Sequence, residues 1–280
     1  MVSINYTDKD MPLLLFLHGG PGRSLMNYSD NFNNKLKENF IVVQWDQRET
    51  GKTLEFNETN KELSLELLIN DTYEIINYLI SRYNKKKIYL VSHSWGSEIG
   101  FIIASKYPDL IKAYIPISAV IDQKENTRIL VPMLKKWAEN EKNINAINEL
   151  AQIRTPISSK RDLYYQQKWL FVHNGEKFSL ESGFKDDYYE WMDIWYPLIL
   201  EASRKSMFEK VTEIECPVFF IEGIGDKQES HYLAEKYYDY LKAEKKDFYW
   251  FYKSGHTVFN TEPEKLQDVI IEISKKLASE

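Results

Sequence analysis

Cysteine is almost absent from this chain, which has one cysteine, Cys216, in 280 residues. A single thiol cannot form an intramolecular disulfide, so no disulfide framework supports the fold. A chain of this length can bury a sizeable core and needs neither a disulfide nor a structural metal. Because Cys216 precedes Pro217 at the start of an apolar run, we expect a buried, structural thiol.

Excess positive charge and long apolar runs are also lacking. The chain has 36 basic and 42 acidic residues, a net charge of −6. Nucleic acids and anionic membranes attract basic surfaces, so we predict neither as a partner. No apolar stretch approaches the length of a membrane span, and residues 1–10 lack a signal-peptide layout. We therefore expect a cytoplasmic protein that acts on a small molecule or a short peptide; no pattern indicates its oligomeric state.

Motifs for metals and nucleotides are missing as well. The sequence has no His-Glu-x-x-His, no Cys/His cluster for zinc, and no Gly-x-Gly-x-x-Gly in a dinucleotide-binding context. Gly51-Lys52-Thr53 resembles the end of a phosphate-binding loop, but Asp46 stands where that motif requires glycine. We predict chemistry without a metal or a cofactor.

Short apolar runs alternate with helical patterns along most of the chain. The runs are mostly continuous, as expected for parallel strands covered by helices on both faces. The predicted strands are residues 13–17, 40–45, 87–91, 112–117, 217–221 and 247–251. This alternation predicts an α/β fold with a mostly parallel, doubly wound sheet, built from residues 1–120 and 211–280.

The interval 121–210 interrupts the alternation, because it has helical patterns and almost no strand signal. It could be a helical subdomain with an aromatic core, or a cap whose aromatic face walls a substrate pocket. We favour the cap, since the interval is inserted between two strands. The predicted substrate-binding residues are Trp169, Trp191 and Trp195.

The strand at 87–91 runs directly into Ser92-His93-Ser94-Trp95-Gly96 and then into a helical pattern. Strand, tight turn and helix form the setting of a nucleophile elbow, which lifts the serine hydroxyl off the sheet end. Ser92 replaces the first glycine of the usual motif, and serine is small enough for the turn. The alternative is that Ser94 is only a helix N-cap.

The segment His18-Gly19-Gly20-Pro21-Gly22 follows the first predicted strand. Clustered glycines let backbone N–H groups face a cavity, and acyl transfer needs two such donors for the oxygen that becomes negative. We predict these donors at Gly20 (or Gly19) and Trp95. A simple Gly-Pro turn is the alternative.

Asp226 and His256 follow the last two predicted strands. Open α/β sheets place their sites at such strand ends. A serine needs a neutral imidazole to take its proton, and a carboxylate to orient the imidazole. We predict Ser94 as nucleophile, His256 as base and Asp226 as acid, with Asp122 as a second choice of acid. Of the other histidines, we expect His18 beneath the glycine-rich segment, His93 pointing away from the site, and His173 and His231 at the surface.

Five ordered motifs resemble the proline iminopeptidase-like α/β hydrolases: HGGPG at 18–22, WDQRETGKT at 45–53, SHSWGS at 92–97, GIGD at 223–226 and SGHTVFNTEP at 254–263. The resemblance implies an α/β-hydrolase fold with a helical cap at 121–210. Matched by position, it implies the nucleophile Ser94, the acid Asp226, the base His256, and oxyanion donors at Gly20 and Trp95.

The chain departs from the family pattern at several places. Glu49 replaces a glycine of WDQRGxGxS, and Thr53 ends that motif. Family members usually carry two or more strands before HGGPG, whereas only about seventeen residues precede it here, so we expect a chain that is truncated or starts late. True proline iminopeptidases bind the substrate amine with glutamates in a cap motif, and we find no match to that motif in this sequence. Glu181, Glu190 and Glu201 are candidates for binding an amine.

The predicted activity is cleavage of a small amide or ester through an acyl-enzyme, including removal of an N-terminal residue from a short peptide. A carboxylesterase, thioesterase or lactonase of the same fold is the alternative within enzymes. A non-catalytic, ligand-binding α/β-hydrolase relative is the alternative outside them.

Overall fold

The structure is a computed structural model that describes residues 1–57 and 62–279. The chain divides into two compact units, Met1–Ile121 with Met207–Glu280, and Asp122–Ser206. The second unit lies within the interval 121–210 that was predicted as an insertion, and ends four residues before it.

The first unit contains a seven-stranded sheet in the order β1-β3-β2-β4-β5-β7-β9. β1 runs antiparallel to β3, and the other pairs are parallel. A separate pair, β6 and β8, is parallel. The strands are β1 (Val2–Asn5), β2 (Leu13–Leu17), β3 (Ile41–Trp45), β4 (Ile88–His93), β5 (Ile111–Ile117), β6 (Glu213–Ile214), β7 (Val218–Gly223), β8 (Lys242–Ala243) and β9 (Lys246–Phe251).

The six predicted strands are confirmed, each within two residues at either end. β1 was not predicted, and with β2 it places two strands before the glycine-rich segment. Its sequence, VSIN, alternates apolar and polar residues, and its side chains are half-buried or exposed at the sheet edge. A short, polar edge strand gives a weak sequence signal.

Helices connect the strands and form all the regular structure described in the second unit. The α-helices are α1 (Gly51–Phe56), α2 (Leu65–Tyr83), α3 (Gly96–Lys106), α4 (Gln123–Asn140), α5 (Ile144–Ala151), α6 (Lys160–His173), α7 (Phe184–Ala202), α8 (Met207–Lys210), α9 (His231–Tyr240), α10 (Val258–Thr261) and α11 (Pro263–Ala278). No helix of the described residues is long and apolar enough to cross a membrane.

The core of the first unit lies on the sheet. All five side chains of β2 are buried, which explains why its sequence, LLLFL, is apolar without alternation. On one face, strand side chains pack with α11, and burial of each contributes about 1.5–3 kcal/mol. This cluster includes Leu14, Phe16, Val42, Val91, Ile115, Phe219, Leu266, Ile270 and Ile273.

The second unit has two apolar clusters of its own. Trp169 belongs to the first, with Leu134 and Leu150, and its indole N–H donates to Glu149 Oε2 at 2.8 Å. Trp191 packs against the second. Trp195 is 2% exposed. The first two tryptophans therefore have a structural role within this unit, and substrate binding by all three stays a prediction.

Candidate active site

Ser94 lies in the tight turn between β4 and α3. Its φ is +52°, in the left-handed region, and its N–H donates to the carbonyl of Ile117 on β5 at 2.9 Å. A Cβ on Gly96 would lie 2.6 Å from the carbonyl oxygen of His18 and 2.7 Å from that of Leu17. Glycine at position 96 thus lets the helix begin this close to β2, as an elbow requires.

The side chain of Ser92, at a position where the usual motif has glycine, makes a hydrogen bond. Its Oγ lies 2.7 Å from the Tyr114 hydroxyl, and both residues are fully buried. Burial raises the pKa of Tyr114 well above its ordinary value, so the phenol stays neutral and can donate or accept. The replacement of glycine is therefore matched by a partner on β5.

Ser94, His256 and Asp226 come together at the carboxyl ends of the strands. His256 Nε2 lies 2.9 Å from Ser94 Oγ, and His256 Nδ1 lies 2.9 Å from Asp226 Oδ2. Since a carboxylate only accepts, Nδ1 carries the proton donated to Asp226, which leaves the Nε2 lone pair directed at the serine hydroxyl.

Asp226 is held as an anion although it is buried. Burial raises its pKa, but the adjacent His256 and the backbone N–H groups of Glu229 and Gln228 outweigh this, and the net pKa is lowered. The two N–H groups donate to Oδ1 at 3.0 and 2.8 Å. Asp226 can therefore orient the imidazole and stabilise its protonated form.

The turns that carry Asp226 and His256 are tied to each other. Gly225 N–H donates to the carbonyl of Ser254 at 2.9 Å. Ser254 Oγ in turn donates to Glu262 Oε2 at 2.6 Å. A Cβ on Gly223 would lie 2.3 Å from the carbonyl oxygen of Gly255, so only glycine fits there.

The glycine-rich segment lies against the elbow. A Cβ on Gly19 would come within 2.8 Å of Ser94 Cβ, and Gly20 has a φ of +115°. The backbone N–H groups of Gly20 and Trp95 donate no hydrogen bond to any described residue. Both remain available for an oxyanion, and this role stays a prediction.

His18 fixes this segment to the end of β3. Gln47 N–H donates to His18 Nε2, and the Gln47 amide donates to the His18 carbonyl, both at 3.1 Å. His18 Nδ1 donates to Gly19 O at 3.0 Å. Burial lowers the pKa of His18 to about 4, so the ring is neutral. The expected position beneath the segment agrees with this burial, but no sequence signal pointed to Gln47.

Glu49, which stands where the family motif has glycine, has a φ of +55°, in the left-handed region that favours glycine. The turn is held by Asp46 Oδ2, which accepts from Lys52 N–H at 3.0 Å, and by Arg48, which donates twice to Asp71 at 2.7 and 2.9 Å. Burial raises the pKa of Glu49. Asp46 and Arg48 therefore hold a turn in which a glutamate takes a left-handed conformation.

The remaining candidates lie elsewhere or act differently. The expectation that His93 points away from the site is wrong, because its Nε2 lies 2.9 Å from the His256 carbonyl oxygen. His173 and His231 are half-buried. Asp122, the second choice of acid, caps α4 by accepting from Glu125 N–H at 3.0 Å. Glu181 and Glu190 are exposed.

Metal binding has no support in the described part of the chain. Among residues 1–57 and 62–279, no group of three or more His, Cys, Asp or Glu side chains is placed to hold a metal ion. Cys216 is buried, and burial raises the pKa of its thiol to about 12, as expected for an unreactive thiol.

Comparison with known proteins gives matches that extend over the chain. The family described as alpha/beta hydrolase fold matches residues 12–173. The probable aminopeptidase YbaC of Bacillus subtilis is 26% identical over 94% of this chain and 89% of that protein. Two solved structures superpose on nearly the whole chain. A proline iminopeptidase of Mycobacterium smegmatis has 15% identity and a TM-score of 0.64, and the match covers 100% of this chain and 96% of that one. A thermophilic esterase of Thermogutta terrifontis has 18% identity and a TM-score of 0.61, and the match covers 99% of this chain and 93% of that one.

Proposed function

Since this chain belongs to the α/β hydrolase fold family, we propose that it is a serine hydrolase that cleaves a small amide or ester through an acyl-enzyme on Ser94. The predicted fold class is confirmed, and the resemblance to proline iminopeptidase-like α/β hydrolases is confirmed for family and fold. One observation carries the proposal: His256 spans Ser94 and Asp226 with two contacts of 2.9 Å.

In the proposed reaction, His256 Nε2 takes the Ser94 proton while Oγ attacks the substrate carbonyl carbon. The carbonyl oxygen becomes negative and accepts hydrogen bonds from the N–H groups of Gly20 and Trp95. The imidazolium then protonates the leaving amine or alcohol, which departs and leaves an acyl group on Ser94. Water, deprotonated by His256, attacks this acyl carbon, and the acid leaves as Oγ regains its proton.

An active-site fluorophosphonate tests the nucleophile. We expect it to label Ser94 of the folded protein, and we expect Ser94→Ala and His256→Ala to abolish labelling, because the hydroxyl is a weak nucleophile without its base. Folded wild-type protein that takes no label and turns over no substrate would favour a non-catalytic, ligand-binding relative.

An aminopeptidase is the form of this activity that we favour over an esterase. The probable aminopeptidase YbaC resembles the chain over nearly its whole length.

A substrate panel separates the possibilities. Prolyl and alanyl arylamides represent aminopeptidase substrates, and short acyl esters, thioesters and lactones represent the alternatives. We expect turnover of arylamides that have a free amine, and we expect Ser94→Ala to abolish it. N-acetylated arylamides provide the matched control. Turnover of esters, thioesters or lactones alone would contradict the aminopeptidase form and leave the serine hydrolase in place.

A further inference from the structure

Two consecutive residues of the elbow contact opposite ends of His256. Ser94 Oγ lies 2.9 Å from His256 Nε2, while His93 Nε2 lies 2.9 Å from the backbone oxygen of the same histidine. Because a carbonyl oxygen only accepts, His93 Nε2 carries the hydrogen. The chain between His93 and Ser94 closes these two contacts into a ring, so the backbone of His256 cannot move away from the elbow without breaking the His93 contact.

In the sheet, the strands that carry these residues are joined only through two intervening strands. Ser94 follows β4 and His256 follows β9, and β5 and β7 lie between those strands. Among the described strands, β4 and β9 therefore have no direct ladder of backbone hydrogen bonds between them. The His93 hydrogen bond is a direct tie from the elbow to the loop of His256.

His93 is itself held firmly. It is 7% exposed, and its ring centroid lies 4.9 Å from that of His256 and 4.9 Å from that of Phe259, which it meets nearly edge-on. A Cβ on Gly19 would lie 3.3 Å from His93 Nδ1, so the ring also borders the glycine-rich segment. Burial lowers the pKa of His93 to about 3, so the imidazole stays a neutral donor.

We propose that His93 is a positioning residue that holds the backbone of His256 at the distance from which its imidazole takes the Ser94 proton. The proposal rests on the proposed function, because it concerns the same proton transfer. His93 is not a second base, since its Nε2 is occupied by the carbonyl of His256.

A matched pair of variants tests this role. Glutamine and methionine have side chains of equal length, and only glutamine places an N–H donor where His93 Nε2 lies. We expect His93→Met to lower kcat about ten- to a hundred-fold, because a small displacement of a catalytic group has an effect of that size, with KM little changed. We expect His93→Gln to restore kcat to within a few-fold of wild type. His231→Met, on α9 against Trp250, is the control and should keep the wild-type kcat.

Three results would overturn the proposal. The first is a folded His93→Met enzyme with the wild-type kcat, and the second is a His93→Gln enzyme as slow as His93→Met. The third is a decrease in the kcat of the His231→Met control as large as that of His93→Met. Circular dichroism establishes folding. If His93→Met does not fold, His93→Phe, which keeps a ring against Phe259 and lacks the donor, replaces it. Ser94→Ala separates the two proposals. An active Ser94→Ala refutes the function, whereas an inactive Ser94→Ala with a fully active His93→Met refutes the role of His93 alone.

Discussion

Ser92 stands two positions before Ser94, where a glycine would leave the Tyr114 hydroxyl without this partner. The two hydroxyls are 2.7 Å apart and shielded from water. A buried hydroxyl that loses its partner costs about 1–3 kcal/mol. The contributions of Ser92 and Tyr114 to stability are thus coupled, because each hydroxyl is the hydrogen-bond partner of the other.

We therefore predict that substitutions of Ser92 and Tyr114 have non-additive effects on the free energy of unfolding. Ser92→Ala should lower the free energy of unfolding by about 1–3 kcal/mol, because it leaves the Tyr114 hydroxyl unsatisfied. Adding Tyr114→Phe should recover most of that loss. Urea denaturation of the two single variants and the double variant measures the coupling. Strict additivity of the two changes would contradict it.

Residue types and chain order were sufficient to predict which side chains meet at the site. The roles of His93 and Gln47 could not be predicted in this way. Their partners, His256 and His18, lie 163 and 29 residues away along the chain. Neither contact has a local pattern, because each exists only once the strand ends lie side by side.

At the scale of elements, the turns after β7 and β9 behave as one piece. Gly223 ends β7 opposite Phe251 of β9, and its missing side chain leaves room for the backbone of Gly255. Asp226 and His256 project from these two turns. The spacing of the turns therefore sets the contact between Asp226 and His256.

A pair of alanine substitutions tests this. Gly223→Ala should lower kcat at least about ten-fold and destabilise the fold by about 1–3 kcal/mol, because the added methyl overlaps the Gly255 carbonyl. Gly255→Ala is the matched control on the facing turn. A Cβ there would meet its nearest neighbour at an ordinary 3.4 Å, and near-wild-type activity is expected. If Gly223→Ala and Gly255→Ala lower kcat equally, and lower the free energy of unfolding equally, the close approach of Gly223 to Gly255 does not have the role described.

Elements could be predicted from sequence where burial makes the pattern strong. β2, β4 and β7 are buried along their whole length, and their apolar runs were visible at once. β1 was missed, as were α1, which has no buried residue, and the two-residue strands β6 and β8. Their formation depends on tertiary neighbours more than on their own sequence.

For the whole molecule, buried neutral histidines make stability depend on pH. His18 and His93 have pKa values lowered to about 4 and about 3, against about 6.5 in the unfolded chain. Below pH 6.5 the unfolded state binds protons that the folded state does not, so stability falls as the pH falls. The decrease in the free energy of unfolding continues down to about pH 4 for His18 and about pH 3 for His93.

We predict that the free energy of unfolding decreases between pH 6.5 and 4.5 by up to about 1.4 kcal/mol per pH unit for each of these histidines. Urea denaturation across this range measures the slope. The double variant His18→Gln/His93→Gln should lose most of it, whereas His173→Gln, which changes a half-buried histidine of the second unit, should keep it. A wild-type stability that is flat over this range would contradict the prediction.

The separation of Ser94 and His256 along the chain, 162 residues, also has a consequence for biosynthesis. A ribosome completes the strand, elbow and glycine-rich segment long before it makes the imidazole that, in the proposed mechanism, activates the serine. In that mechanism, a nascent chain folded only through β5 carries the Ser94 hydroxyl without its base. The chain order of the proposed triad would thus delay reactivity until the sheet has received its last strand.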